Sequence, residues 1–194
     1  MNKAERTRQF IIEKAAPVFN KKGYAGTSLS DMTEATGLTK GSIYGNFADK
    51  DEVALACFDY NYEIVREQIR KEMDKYPSYR DKLLVYVDVY SNKSKYSLPA
   101  GGCPVLNTTV DADDTHPALR ARAGEALINW KNTLTTLIEA GKARGEFKTA
   151  ANPEQLALTI IGMLEGMIVV GKATGKPGYA KAVLASVDEL IKNL

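Results

Sequence analysis

Apolar residues recur at helical spacing along almost the whole chain, and no stretch alternates convincingly as a half-buried strand does. Residues 3–22 place Ile11, Ile12, Ala15, Val18 and Phe19 on one stripe with charges opposite, predicting an amphipathic helix that ends at Gly23. Pro17 removes one backbone donor inside it and predicts a mild kink. Ser28, three residues before Asp31, opens a short helix over 28–36 that Gly37 stops. Thr39 caps a third helix from Lys40 to Phe47, and Asp49 starts a long fourth that ends before Pro77. Residues 78–96 read as a helix; the β-branched cluster around Val85–Val89 makes a strand the competing reading, and the flanks favour helix. After a loop at 97–104 comes a short helix from Pro104 to about Val110, then a long one over 117–143. Asn152-Pro153-Glu154 combines a cap, a first-turn proline and a first-turn acid, and the helix it opens runs to about Thr174. Residues 178–193 form a last amphipathic helix beyond Gly175 and Pro177. The expected fold is all-α, about nine helices, without repeats or low-complexity segments.

Composition narrows the function. A chain of 194 residues allows one domain, or one with a small appendage. Two cysteines, Cys57 and Cys103, exclude a disulfide framework and point to a reducing compartment. The single histidine, His116, leaves no His-based metal cage in one chain. No run approaches about 18 consecutive apolar residues, and the charged start MNKAERTRQF has no apolar signal core. The expectation is a cytoplasmic protein without a transmembrane helix, a cofactor or a metal. Net charge is +2, but residues 1–50 carry +3 and the remainder −1. A basic first quarter suits a phosphate-facing module or a solvated helix face.

Residues Ser28–Phe47 decide between them. Two short helices joined by a Gly-containing turn make a helix-turn-helix. Leu29, Met32 and Ala35 of the first helix meet Leu38, Ile43 and Phe47 from the turn and the second. Lys40, Gly41, Ser42, Tyr44 and Asn46 then face outward as a polar, donor-rich surface suited to a DNA major groove.

Residues 7–58 resemble the DNA-binding domain of the TetR family of bacterial transcriptional regulators, of the TetR/AcrR type. The matching pieces are Thr7-Arg8, AAPVFNKKGY at 15–24 and TSLSDMTEATGLTKGSIYGNFADKDEV at 27–53. The resemblance implies a DNA-binding domain over 1–50 and a helical effector-binding and dimerisation domain over 51–194. It implies phosphate contacts from Thr27, Ser28, Tyr44 and Lys50. Thr39, Lys40, Gly41 and Ser42 match the start of the recognition helix, with Lys40, Ser42 and Asn46 as base readers. Gly45 and Asn46 depart from the bulkier pair usual there, which puts base choice at that end in doubt.

For the second domain the resemblance implies a homodimer built on the last two helices. Leu156, Ile160, Met163, Leu164, Met167 and Ile168 form a wide apolar surface for it, with Gly162 and Gly166 permitting close approach. A repressor released from a palindromic operator by a small effector is the implied function. Phe58, Tyr62, Tyr86, Tyr90, Trp130 and Met163 are the pocket-lining candidates, although aromatics at helical spacing also build plain core. Cys103, in a Gly-rich loop before a helix start, is the candidate for a thiol-reactive effector. Two other readings are a helical ligand-binding module without DNA function and a Cys-dependent enzyme. His116, which precedes Pro117, reads as a helix cap rather than a catalytic base.

Overall fold

Asn2 and Glu5 open the first helix by a reciprocal exchange. The Asn2 side chain accepts from the Glu5 N–H, and the Glu5 carboxylate accepts from the Asn2 N–H. In a computed structural model describing residues 2–92, 95–148 and 150–194, this helix is α1 (Lys3–Gly26). Pro17 sits inside α1 without breaking it; the interruption comes at Gly23, with φ 72° and ψ 177°. The remaining helices are α2 (Leu29–Thr36), α3 (Lys40–Tyr44), α4 (Lys50–Met73), α5 (Tyr79–Ser91), α6 (Pro104–Ala112), α7 (Pro117–Ala143), α8 (Pro153–Thr174) and α9 (Pro177–Lys192). The nine helices and the absence of strands hold among the described residues.

α5 stops short of the predicted 96 because Asp88 gathers partners from beyond it. The Asn92 amide and the Lys95 ammonium donate to its carboxylate at 2.6 and 2.9 Å, and the Tyr96 hydroxyl donates to it as well. Residues 93 and 94 lie outside the described set.

The chain packs as two compact units. One comprises Met1–Val65 with Pro99–Ala126, the other Arg66–Leu98 with Leu127–Leu194. In the first, Ile11, Ala15, Phe19, Met32, Ile43, Val53 and Cys57 build the core. α6 lies along α1, joined through two asparagines. Buried Asn20 donates its amide to the Ala100 and Gly102 carbonyls, at 2.8 and 3.0 Å. Asn107 donates to the carbonyls of Asn20 and Gly101, at 2.9 and 3.1 Å. Gly101 (φ +102°) passes so close that an added Cβ would stand 2.8 Å from the Asn20 carbonyl oxygen.

In the second unit, α9 packs against both α8 and α5 around Leu83, Val89, Ile160, Leu164, Val187 and Ile191. The Arg80 guanidinium closes the end of α9, donating to the carbonyls of Ile191 (2.6 Å), Lys192 (2.7 Å) and Glu146 (2.7 Å).

This packing uses most of the predicted dimer surface inside the chain. Leu156, Ile160, Leu164, Met167 and Ile168 are all buried within their own chain, and Met163 is half-buried. α8 is apolar around most of its circumference, so its richest stripe is consumed by its own core. The outward face carries Leu158 and Val169, each about half exposed, beside Gly162 and Gly166. By length and composition alone α8 is long and apolar enough to cross a membrane, which a count of uninterrupted apolar runs misses. Seven of its residues nevertheless pack inside the chain.

Candidate nucleic-acid interface

Local chemistry sets both ends of α2. The Asp31 N–H donates to Ser28 Oγ at 3.1 Å, and the Asp31 carboxylate accepts from the Ser28 N–H at 2.7 Å. Lys22 donates to the same carboxylate at 2.6 Å. Led by the Lys22 contact, these bonds hold Asp31 well below the usual carboxylate range. Gly37, at φ 68°, ends α2 in the left-handed conformation that glycine adopts without cost. Thr39 then caps α3, accepting from the Ser42 N–H at 3.2 Å. Met32, Ile43 and Phe47 are buried between the two helices. The Thr36 hydroxyl serves the turn, donating to the Met32 carbonyl and accepting from the Leu38 N–H.

α3 is short, and glycines at 41 and 45 thin its surface. Lys40 is exposed at its first position; Ser42, Tyr44 and Asn46 are half-buried. The Asn46 amide nitrogen donates to the Ser42 carbonyl at 2.8 Å. Bidentate pairing with adenine uses both the oxygen and the nitrogen of an asparagine, so this bond has to open for it. Ser28 is exposed, with its hydroxyl donating to Asp31 at 2.8 Å. Thr27 does not present its hydroxyl outward. Its side chain is buried, and the hydroxyl donates to the Gly23 carbonyl at 2.6 Å. The break at Gly23 exposes that carbonyl, and Thr27 is the group that satisfies it.

Arg8 fixes the far end of α3. Its guanidinium donates to the Asn46 carbonyl at 2.6 Å, pairs with Glu52 at 2.7 Å and stacks on the Phe47 ring at 3.9 Å. The Ala48 N–H and then Arg8 hold Glu52 below the usual carboxylate range. The sequence marks Arg8 only as part of a matching piece, because its partners lie some forty positions away in the chain.

Lys50 opens α4, where Asp49 accepts from the Glu52 N–H at 2.8 Å. Its ammonium stands 4.2 Å from the Tyr24 ring centroid. The Tyr24 hydroxyl donates to Asp51, which pushes Tyr24 up to about 12 and Asp51 down. The bonds to Asp31, Asp51 and Glu52 are therefore in full force above the ordinary carboxylate range. Their contribution is lost only as the pH falls through the depressed values.

The pocket candidates are distributed over both units. In the first, Phe58 stacks on Tyr62, centroids 6.1 Å apart, and the Tyr62 hydroxyl donates to the Ala126 carbonyl. In the second, Tyr86 stacks on Trp130 at 5.9 Å, and the buried Trp130 indole N–H has no acceptor among the described residues. Tyr90 borders an open groove of about 780 Å³ with Met167, Ile168 and Leu184. Cys103 is buried at the start of α6. Burial pushes the Cys57 thiol far above its usual range, which strips it of nucleophilic character. No group of three His, Cys, Asp or Glu among the described residues is placed to hold a metal ion.

The chain matches two family models. Residues 11–57 match "Bacterial regulatory proteins, tetR family", and residues 80–187 match "Tetracyclin repressor-like, C-terminal domain". A TetR-family transcriptional regulator from Cytophaga hutchinsonii is 48% identical, with a TM-score of 0.95 over 100% of this chain and 97% of that one. The regulator TtgR of Pseudomonas putida is 26% identical over 85% of this chain and 80% of its own length. The fold is also shared with a cysteine mutant of the TetR-family regulator CifR, solved in complex with 26-base-pair operator DNA. That structure is 20% identical, with a TM-score of 0.78 over 95% of this chain and 94% of that one. An all-α chain with a capped helix-turn-helix at its basic end, matched by both domain models, belongs to the TetR family of transcriptional regulators.

Proposed function

We propose that this regulator binds a palindromic operator as a homodimer in the cytoplasm and represses transcription until a small effector releases it. The DNA-contacting residues lie within 1–50, which packs in one unit with 99–126, and effector binding and dimerisation fall to residues within 51–194. The observation that carries this reading is the capped α3, whose outer side presents Lys40, Ser42, Tyr44 and Asn46. Lys40, Ser42 and Asn46 meet base edges; Ser28, Tyr44 and Lys50 meet phosphate. Phosphate contacts set register and base contacts choose sequence. Two such helices on a two-fold axis read half-sites roughly 34 Å apart.

The partner face is the outward side of α8, around Leu158, Gly162, Gly166 and Val169. The second unit supports the effector: the buried Trp130 indole N–H, on a stacked aromatic pair, has no acceptor among the described residues. Burial of Cys103 favours a bound effector over direct attack on its thiol.

Selection of bound duplexes from a randomised pool tests the reading directly. A palindrome is expected, and recovery of no enriched sequence overturns it. On the selected duplex, Lys50→Ala is expected to flatten the salt dependence of binding by about one unit without changing sequence preference. Asn46→Ala is expected to relax preference at one position in each half-site and leave the salt slope intact.

A further inference from the structure

The only histidine of the chain is buried beneath the groups read above as gripping phosphate. His116 precedes α7, and its Nδ1 accepts from the Leu119 N–H at 3.2 Å. It is therefore the helix cap its sequence position suggests. With Nδ1 occupied as an acceptor, the neutral ring carries its proton on Nε2. That atom makes no hydrogen bond among the described residues and stands 3.5 Å from Asp51 Oδ1. The ring meets Tyr24 edge-on, centroids 4.4 Å apart at 77°.

Tyr24 is thus held on several sides. Asp51 takes its hydroxyl, and Asp111 accepts from its backbone N–H at 2.6 Å. Gly23 lets that carboxylate approach, since an added Cβ would collide with it. His116 packs steeply against the ring, and the Lys50 ammonium stands over it. A lysine stem is flexible and loses rotamer freedom when it grips a phosphate; an aromatic face already beneath the ammonium reduces that loss.

We propose that His116 is a positioning residue for DNA binding, holding Tyr24 in place so that Lys50 is presented to the phosphate backbone. This rests on the reading of Lys50 as a phosphate contact. It makes the turn before α7 part of the DNA grip, acting through Tyr24.

A double-mutant cycle on the selected duplex tests it, using His116→Asn and Lys50→Ala in the full-length chain. Asparagine keeps a cap acceptor for α7 but removes the ring from Tyr24 and the nitrogen from Asp51. In the native background, Lys50→Ala is expected to weaken binding about tenfold; after His116→Asn the same change is expected to cost less than about twofold. The salt slope of His116→Asn is expected to flatten as that of Lys50→Ala does. Losses that simply multiply, with an unchanged slope for His116→Asn, overturn the proposal while leaving the DNA-binding reading standing. Absence of duplex binding by the native chain overturns both. Nitrogen NMR of the lone histidine needs no variant at position 116. Adding duplex is expected to shift its ring signals in the native chain and much less in Lys50→Ala; equal shifts in both overturn the proposal.

Discussion

Replacing Gly162 and Gly166 together with leucine is expected to give a folded monomer whose operator affinity is lower by about 100-fold or more, the scale on which linking two half-site contacts raises avidity. A Cβ built on either glycine meets nothing within 4 Å, so leucine has room in the single chain. Leucine is also the better helix former by roughly 1 kcal/mol per position, so α8 itself gains. Only a second chain lying close against this face turns that gain into a loss. Leu158 and Val169 beside the glycines give the face its apolar area. Light scattering should show a dimer for the native chain and half that mass for the variant, with circular dichroism unchanged. A variant that stays dimeric and binds DNA normally moves the partner surface elsewhere.

Arg8→Ala is expected to weaken operator binding about tenfold and to lower stability by roughly 1–2 kcal/mol, discounted because the side chain is partly exposed. The loss has three parts: the donor to the last carbonyl after α3, the partner of Glu52 and the cation over Phe47. Arg8→Lys keeps the charge but lacks the planar fork that makes all three contacts at once, so it should recover less than half of the loss. Anisotropy against the selected duplex and thermal melting read the two effects separately. Native affinity in Arg8→Ala would show that α3 is seated without it.

What the sequence disclosed, and what it hid, divides along distance in the chain. Ser28, Asp31, Gly37 and Thr39 act on neighbours within a few positions, and so do Asn152 and Pro153 at the start of α8. Their residue types and spacing therefore declare the helix ends. His116 as a cap for α7 belongs with them. Arg8 meeting Asn46, Tyr24 meeting Asp51, and Tyr24 meeting His116 are encounters that only the folded chain creates. Thr27 is a position where the fold changes what the residue type offers. Its residue type suits phosphate, but the break at Gly23 supplies a nearer acceptor. The partner surface is hard to read for a different reason. On a helix apolar nearly all round, periodicity cannot say which stripe faces inward, and the richest one was claimed by the protein's own interior. Gly162 and Gly166 mark a face that the chain's own packing leaves open.

The two asparagines that bind α6 to α1 limit how such regulators can be recombined. The segment from 99 to 126 is a structural part of the DNA-reading unit, although it comes after α5 in the chain. A fragment cut after residue 65 would leave the Asn20 amide and the flank of α1 bare to water. Grafting this reading head onto another sensor therefore requires transplanting a second, distant piece of polypeptide along with it, and the stretch most tempting to cut as a cassette would not stand alone.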